Sequence, residues 1–235
     1  MELDRAISGA GDLLLGSACH GCSRPWWGIC PRCWIAVLSH GCYQTKPDPC
    51  PVGFPITVTT APYDPIMQQL IRAHKERGAL GLTPFLAGRL VAAIDVLLGS
   101  APRYPDTFLL VPVPSSSAAI RDRGFDSTLA MSRHAARTLK PRMRIRARRL
   151  LRQARPVRDQ AGLSADERAA NLRGALRVVG KQLGPPVILI DDVVTTGSSL
   201  SEAARALRST GHRVLRAATI AATRRSAGRS TGSAR

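Results

Sequence analysis

The sequence predicts an α/β fold with a mainly parallel sheet, preceded by a small cysteine-rich module. Two uninterrupted apolar runs, Phe108-Leu109-Leu110-Val111 and Val187-Ile188-Leu189-Ile190, read as strands buried on both faces of a parallel sheet. Segments with helical period flank these runs, as the crossovers of such a sheet require. All six cysteines fall between Cys19 and Cys50, where Gly, Pro and Trp are frequent, so residues 1–54 form a module of their own.

The main domain, residues 55–222, begins with a β-rich strand over 56–61. Asp64-Pro65 supplies an N-cap and a proline at the first helical position; Ile66, Leu70, Ile71 and His74 share one face, and Gly78 ends that helix. Thr83-Pro84 repeats the start signal, with Leu86, Leu90, Ile94 and Leu97 or Leu98 inward. The strand at 108–111 leads through Pro112-Val113-Pro114 into a polar loop ending at Gly124, and a helix follows over 127–139. Next comes a period of two: Arg142, Arg144, Arg146 and Arg148 face one way, Met143, Ile145 and Ala147 the other. Residues 152–163 have no periodic apolar face and read as a mobile loop. Ser164-Ala165-Asp166-Glu167 has the form of a capping box opening a helix that carries Arg168 and Asn171. After the strand at 187–190, Leu200, Ala203, Ala204 and Leu207 form a helical face, and residues 214–222 supply a last strand. The tail, 223–235, is small, polar and basic, and is expected to be disordered.

No apolar run approaches the ~18 residues needed to cross a bilayer, and Glu2 and Asp4 stand where a secretory leader is basic, so a cytoplasmic location and no membrane insertion are expected. The formal charge of +18, from 34 basic against 16 acidic residues, favours phosphate-rich partners; an Arg-rich genome would produce the same excess.

Residues 187–200 carry the chemistry. A buried strand delivers Asp191 and Asp192 to the rim of the sheet, where ligands bind in open α/β folds. The loop Thr195-Thr196-Gly197-Ser198-Ser199 follows and opens a helix whose unpaired N–H groups suit an anion. The carboxylates can accept hydrogen bonds from vicinal ribose hydroxyls or meet a hydrated Mg²⁺. A Walker loop is excluded, since no Gly-Lys-Ser/Thr occurs.

The run from Ile188 to Gly197 resembles the signature of type I phosphoribosyltransferases for 5-phosphoribosyl 1-pyrophosphate (PRPP). The N-terminal cysteines, Tyr63 with Lys75, Val111-Pro112-Val113-Pro114, Arg121-Asp122-Arg123-Gly124-Phe125, Gln160, Arg168 and Asn171 precede it in an order similar to the ComF/GntX family of competence-associated, phosphoribosyltransferase-like proteins. The resemblance implies a type I phosphoribosyltransferase fold in which Asp191 and Asp192 are the catalytic acids holding ribose O2 and O3. Val193, Val194, Thr195, Thr196, Gly197, Ser198 and Ser199 would cradle the 5-phosphate, and Arg121 and Arg123 would approach the pyrophosphate, with Mg²⁺ accompanying PRPP. Residues 155–163 would be either a lid over the site or a plain exposed linker. Asp126 departs from the family, which usually has Asn there. Three functions are compatible with this: phosphoribosyl transfer to an unidentified acceptor, non-catalytic PRPP or phosphate binding with handling of single-stranded DNA beside a competence helicase, and an adaptor role through the cysteine module.

In that module Cys19-His20-Gly21-Cys22 and Cys30-Pro31-Arg32-Cys33 form two Cys-x-x-Cys knuckles, the spacing of a closed Cys₄ shell for structural Zn²⁺. A redox dithiol and a disulfide pair are the competing readings, and Cys42 and Cys50 are expected to be unliganded thiols. Trp26, Trp27 and Trp34 are expected to cover the metal and pack the module onto the main domain; beside Arg24 and Arg32 they would also suit base stacking.

Overall fold

Alternation along the two apolar runs decides the architecture. The computed structural model describes residues 17–99, 107–157, 164–180 and 184–223. Among them the chain passes through α1 (Pro31–Leu38), β1 (Tyr43–Thr45), β2 (Thr57–Thr59), α2 (Pro65–Glu76), a 3₁₀ turn (Leu80–Leu82) and α3 (Thr83–Gly99). It continues through β3 (Thr107–Pro112), α4 (Ser117–Arg123), α5 (Ser127–Leu139), β4 (Arg144–Ala147), β5 (Leu151–Gln153), α6 (Ala165–Leu172) and β6 (Leu176–Val178). The last elements are β7 (Val187–Val194), α7 (Ser198–Arg208) and β8 (Val214–Ala222).

Six strands form one sheet in the order β1-β2-β8-β7-β3-β4, parallel throughout except for the antiparallel pairing of β1 with β2. Ile188 and Ile190 of β7 pack with Phe108 and Leu110 of β3 into a core shared with α2, α3 and α5. Val187 and Leu189 face the other way and pack with Leu200, Ala203, Ala204 and Leu207 of α7. A strand buried on both faces needs every residue apolar, which is why these two runs are continuous. At β7 the run ends where the strand reaches the rim, and there the carboxylates begin.

The start signals act as the sequence predicts. Asp64 accepts from the Met67 N–H at 2.9 Å with Pro65 at the first helical position, and Ser164 and Glu167 close a reciprocal capping box at 2.8 and 3.3 Å. In β4 the alternation holds: Ile145 is buried while Arg144 and Arg146 are exposed.

Other expectations change. The loop before Gly124 contains α4, capped by Ser116, whose Oγ accepts from Ala119 N–H at 3.1 Å, and ended by Gly124 at φ 73°. Seven residues are too few for a helical period to register. The stretch after 151 is not wholly loop, since β5 pairs with β6 in a separate two-stranded sheet; residues 158–163, including Gln160 and most of the expected lid, lie outside the described residues, as does the tail beyond Thr223. Strand β1 joins the main sheet, which thus draws on residues from both sides of the boundary expected at 54. The segment Leu80–Gly99 has the length and apolarity of a membrane span, contrary to the expectation that no run does. It is the central core helix, with Leu86, Ala87, Leu90, Ala93 and Ile94 buried, and Arg89 donates from it to the carbonyl oxygens of His40 and Thr60 at 2.9 and 2.8 Å.

Candidate functional site

Parallel strands β7 and β3 end side by side, and a cleft of about 370 Å³ opens over their carboxyl ends. Strand β7 supplies Asp191, Asp192 and Val193, and the loop after it supplies Thr195 and Ser199. Val113, Pro114 and Ser115 after β3 form the opposite wall, and Tyr63, Ile71, Arg72, Lys75 and Glu76 close the side formed by α2.

The electrostatics centre on one ion pair. Lys75 Nζ donates to Asp192 Oδ2 at 2.7 Å, with the Asp192 side chain 8% exposed. Asp191 Oδ1 accepts from Asp192 N–H and Asp192 Oδ1 from Val193 N–H, each at 2.9 Å. Burial alone would raise Asp192, but the Lys75 ammonium and these hydrogen bonds outweigh it and hold the carboxyl below its usual range. Asp192 in turn raises Lys75, while burial and the neighbouring charge of Asp192 push Asp191 well above the ordinary carboxylate value. One acid is therefore held ionised and the other inclined to keep a proton, so the pair can both accept and donate hydrogen bonds.

The loop is split in its orientation. Thr195 and Ser199 line the cleft, Thr196 Oγ1 and Ser198 Oγ lie 3.0 Å apart, and Val194 is buried beneath. Gly197 caps α7 in the left-handed region at φ 74° with no side chain to bond the first turn. The amides of that turn keep their donors for an anion.

The two arginines do not reach the cleft wall. Arg121 is exposed on α4, whereas Arg123 folds back, donating from Nε to the Ala119 carbonyl at 2.6 Å and from Nη1 to the Lys75 carbonyl at 3.1 Å. Its Nη2 is buried with no partner among the described residues. Asp126 caps α5 through Oδ1, which accepts from Leu129 N–H at 3.0 Å, and Oδ2 pairs with Arg149 at 3.0 Å. Its charge is thus matched within the fold rather than turned on the cleft. Arg168 and Asn171 lie on α6 and do not line the cleft. The pairing of Lys75 with Asp192 carries no signal in the sequence, since 117 positions separate them and a lysine in a last helical turn is ordinary.

The Cys19, Cys22, Cys30 and Cys33 sulfurs lie within 4.8 Å of one another, with Cys22 and Cys30 Sγ 3.7 Å apart. A tetrahedral shell with Zn–S bonds of about 2.3 Å spaces its sulfurs about 3.8 Å apart, so the four can hold a metal ion such as zinc. Backbone N–H groups of Gly21 and Cys30 aim at Cys19 Sγ at 3.4 and 3.3 Å and, against the effect of burial, bring that thiol down to about 7. Burial and the neighbouring sulfurs push Cys33 far up; four crowded thiolates need a cation among them. Cys42 and Cys50 stand outside the cluster, and all six thiols are free. Trp26 packs on the cluster and Trp34 meets Phe85 at 4.5 Å with the rings tilted by 46°, joining the module to α3, but Trp34 and Trp27 stay 44% and 68% exposed.

Two measurements check this description. Cys33→Ser, one sulfur short of a tetrahedral shell, lowers bound metal per chain well below the wild-type value by elemental analysis. The Lys75–Asp192 pair also makes stability depend on pH. The raised Lys75 stabilises the fold below the unfolded lysine value of about 10.4, and the depressed Asp192 does so above the unfolded value of about 3.9. The loss in unfolding free energy caused by Lys75→Met then shrinks as pH falls through the folded Asp192 value and grows as pH rises, because Lys75 also lowers the raised Asp191, as read by urea titration.

Residues 152–234 match the family described as Phosphoribosyl transferase domain. "Competence protein F" of Haemophilus influenzae is 33% identical over 205 residues, covering 82% of this chain and 85% of the relative. "DNA utilization protein YhgH" of Escherichia coli K12 is 28% identical over 200 residues, covering 83% of this chain and 84% of the relative. With cysteine cluster, parallel sheet and carboxylate-ended strand in the same order as the sequence resemblance requires, the chain belongs to the ComF family of competence protein F.

Proposed function

We propose that this protein binds PRPP in the cleft over β7 and β3 and transfers its phosphoribosyl group to a nitrogen acceptor. The observation that carries this reading is the meeting, in one cleft, of the Asp191-Asp192 pair with a hydroxyl-lined loop at an uncapped helix N-terminus. The match to a phosphoribosyl transferase domain supports it.

In this reading Asp191 and Asp192 are the catalytic acids that orient the ribose O2 and O3. The amides of the α7 first turn, with Thr195, Thr196, Ser198 and Ser199, take the 5-phosphate, and Gly197 allows the backbone to curl around it. Lys75 already holds Asp192 ionised, and Arg123 keeps an unused donor at the adjoining helix end. Arg121 stays a solvent-facing cation at the rim. Leaving of pyrophosphate builds negative charge on its oxygens and positive charge on the sugar, so the protein's work is positioning and electrostatic stabilisation. Mg²⁺ bound with PRPP would neutralise part of the pyrophosphate charge. The Cys₄ shell would hold a structural Zn²⁺ with no open position. Six cysteines, four of them gathered as a metal site, accord with a cytoplasmic location.

A second reading, in which the protein also handles single-stranded DNA, rests on the outer edge of the sheet. Lys140, Arg144, Arg146 and Arg148 line a groove of about 1020 Å³ beside β4, and no acid lines it among the described residues. Same-face residues of a strand recur about every 6.7 Å, so the arginines form a linear row that suits a phosphodiester backbone. The relatives' names, competence and DNA utilization, point the same way; a competence helicase is a partner that only the family resemblance implies.

Calorimetry with PRPP and Mg²⁺ tests the first reading. Each hydrogen bond to a charged group contributes about 1.5–3 kcal/mol, so Asp191→Asn with Asp192→Asn weakens binding by at least about tenfold; equal affinity would remove the site. For the second reading, replacing Arg144, Arg146 and Arg148 by alanine lowers the slope of log affinity against log salt for a single strand by about 2, at about 0.7 per phosphate contact. An unchanged slope would exclude β4.

A further inference from the structure

Gly197, at the centre of the candidate phosphate loop, is pressed from outside the cleft. A Cβ built on it would stand 2.7 Å from Phe54 Cε2, 2.7 Å from Pro47 Cγ and 2.8 Å from Phe54 Cδ2. Both side chains belong to the connection between β1 and β2, which runs from residue 46 to 56. Hairpins are commonly closed by two to five residues, so eleven between two three-residue strands is far more than the turn needs. The excess chain is spent on reaching β7 and α7. Phe54 packs against the apolar layer containing Val194, Leu200 and Leu207. Arg208 Nη1, at the far end of α7, donates to the Gly53 carbonyl at 2.7 Å, and Phe54 N–H closes a turn onto the Pro51 carbonyl at 3.2 Å. Neither Pro47 nor Phe54 lines the cleft.

We infer that residues 46–56 are a brace that holds the phosphate loop in its anion-receiving shape, with Phe54 and Pro47 as its positioning residues. The inference rests on the phosphoribosyl reading of the cleft for the identity of the anion, a sugar 5-phosphate. The physical argument is steric. The loop residues Thr195 and Thr196 are exposed or half-buried, and at Gly197 nothing but backbone fills the turn. A glycine in the left-handed region is free to leave it unless its surroundings forbid the move. Phe54 and Pro47 fill the space that a side chain at Gly197 would need, so the turn has no room to shift toward them, and the adjoining amides are thereby kept facing the cleft. Preorganised donors of this kind do not have to be ordered when the ligand arrives. A glycine here therefore serves the close approach of the brace as well as the positive φ.

Hydrogen exchange and ligand binding on the full-length, metal-loaded protein test the brace separately from the ligand. In Phe54→Ala, amides of residues 196–200 exchange at least about tenfold faster than in wild type while those of β3 are unchanged. Affinity for ribose 5-phosphate falls by about tenfold or more, since a misplacement of about 1 Å can cost up to about a hundredfold, and affinity for Mg²⁺-pyrophosphate stays the same. Phe54→Leu, which keeps the apolar bulk, restores most of the loss. Unchanged loop exchange in Phe54→Ala overturns the brace whatever the ligand data show. Faster exchange with undiminished ribose 5-phosphate affinity overturns its positioning role. If wild type itself binds no ribose 5-phosphate while loop exchange still rises in Phe54→Ala, the brace stands and the phosphoribosyl reading falls.

Discussion

Of two adjacent carboxylates at the end of a doubly buried strand, one stays ionised only if a cation lies close by, and Lys75 answers that constraint at Asp192. Much of the domain is arranged to bring it there. Helix α2 must start at Asp64 and pack Met67, Leu70 and Ile71 into the core for its last turn to place an ammonium 2.7 Å from Asp192. The core layer of α3 and α5 supports that packing, and Arg123 of α4 holds the α2 terminus through the Lys75 carbonyl. The acids and their counter-ion thus come from distant parts of the chain, and the cleft exists only when the sheet between them is complete.

What could be read from the residues alone follows from how local each signal is. Doubly buried strands, the Asp-Pro and Ser-x-x-Glu helix starts and the two Cys-x-x-Cys knuckles are written in neighbouring residues and recur as expected in the structure. The acid pair and the hydroxyl-rich loop after it are also written in neighbouring residues, and they meet in one cleft. Strand β1, at three residues, and helix α4, at seven, are too short for any period to appear. Phe54 and Pro47 stayed hidden because their significance is purely tertiary, and Lys75, singled out only through the family resemblance, shows its partner Asp192 only in the fold. Leu80–Gly99 was underrated because Arg89 and Asp95 interrupt a stretch that is otherwise largely apolar.

The cysteine module and the cleft are linked by contact as well as by chain. A Cβ on Gly21 would lie 3.0 Å from Cys33 Sγ and 3.2 Å from Ile66 Cγ2, so the first knuckle rests on the opening turn of α2. From Cys33 the chain runs through α1 and β1 into the segment packed on Gly197. Helix α2, which walls the cleft, thus abuts the sulfur cluster, and the β1–β2 connection, packed on Gly197 from outside the cleft, follows the cluster in the chain.

The arginine row of β4 has a consequence unrelated to any ligand. As the last strand of its sheet, β4 presents main-chain donors and acceptors that a second extended chain could pair with. Arg144 and Arg146 stand exposed along that border. An identical border brought alongside would set guanidinium against guanidinium at every second residue. Mutual repulsion of these cations would oppose the addition of an identical strand along this edge.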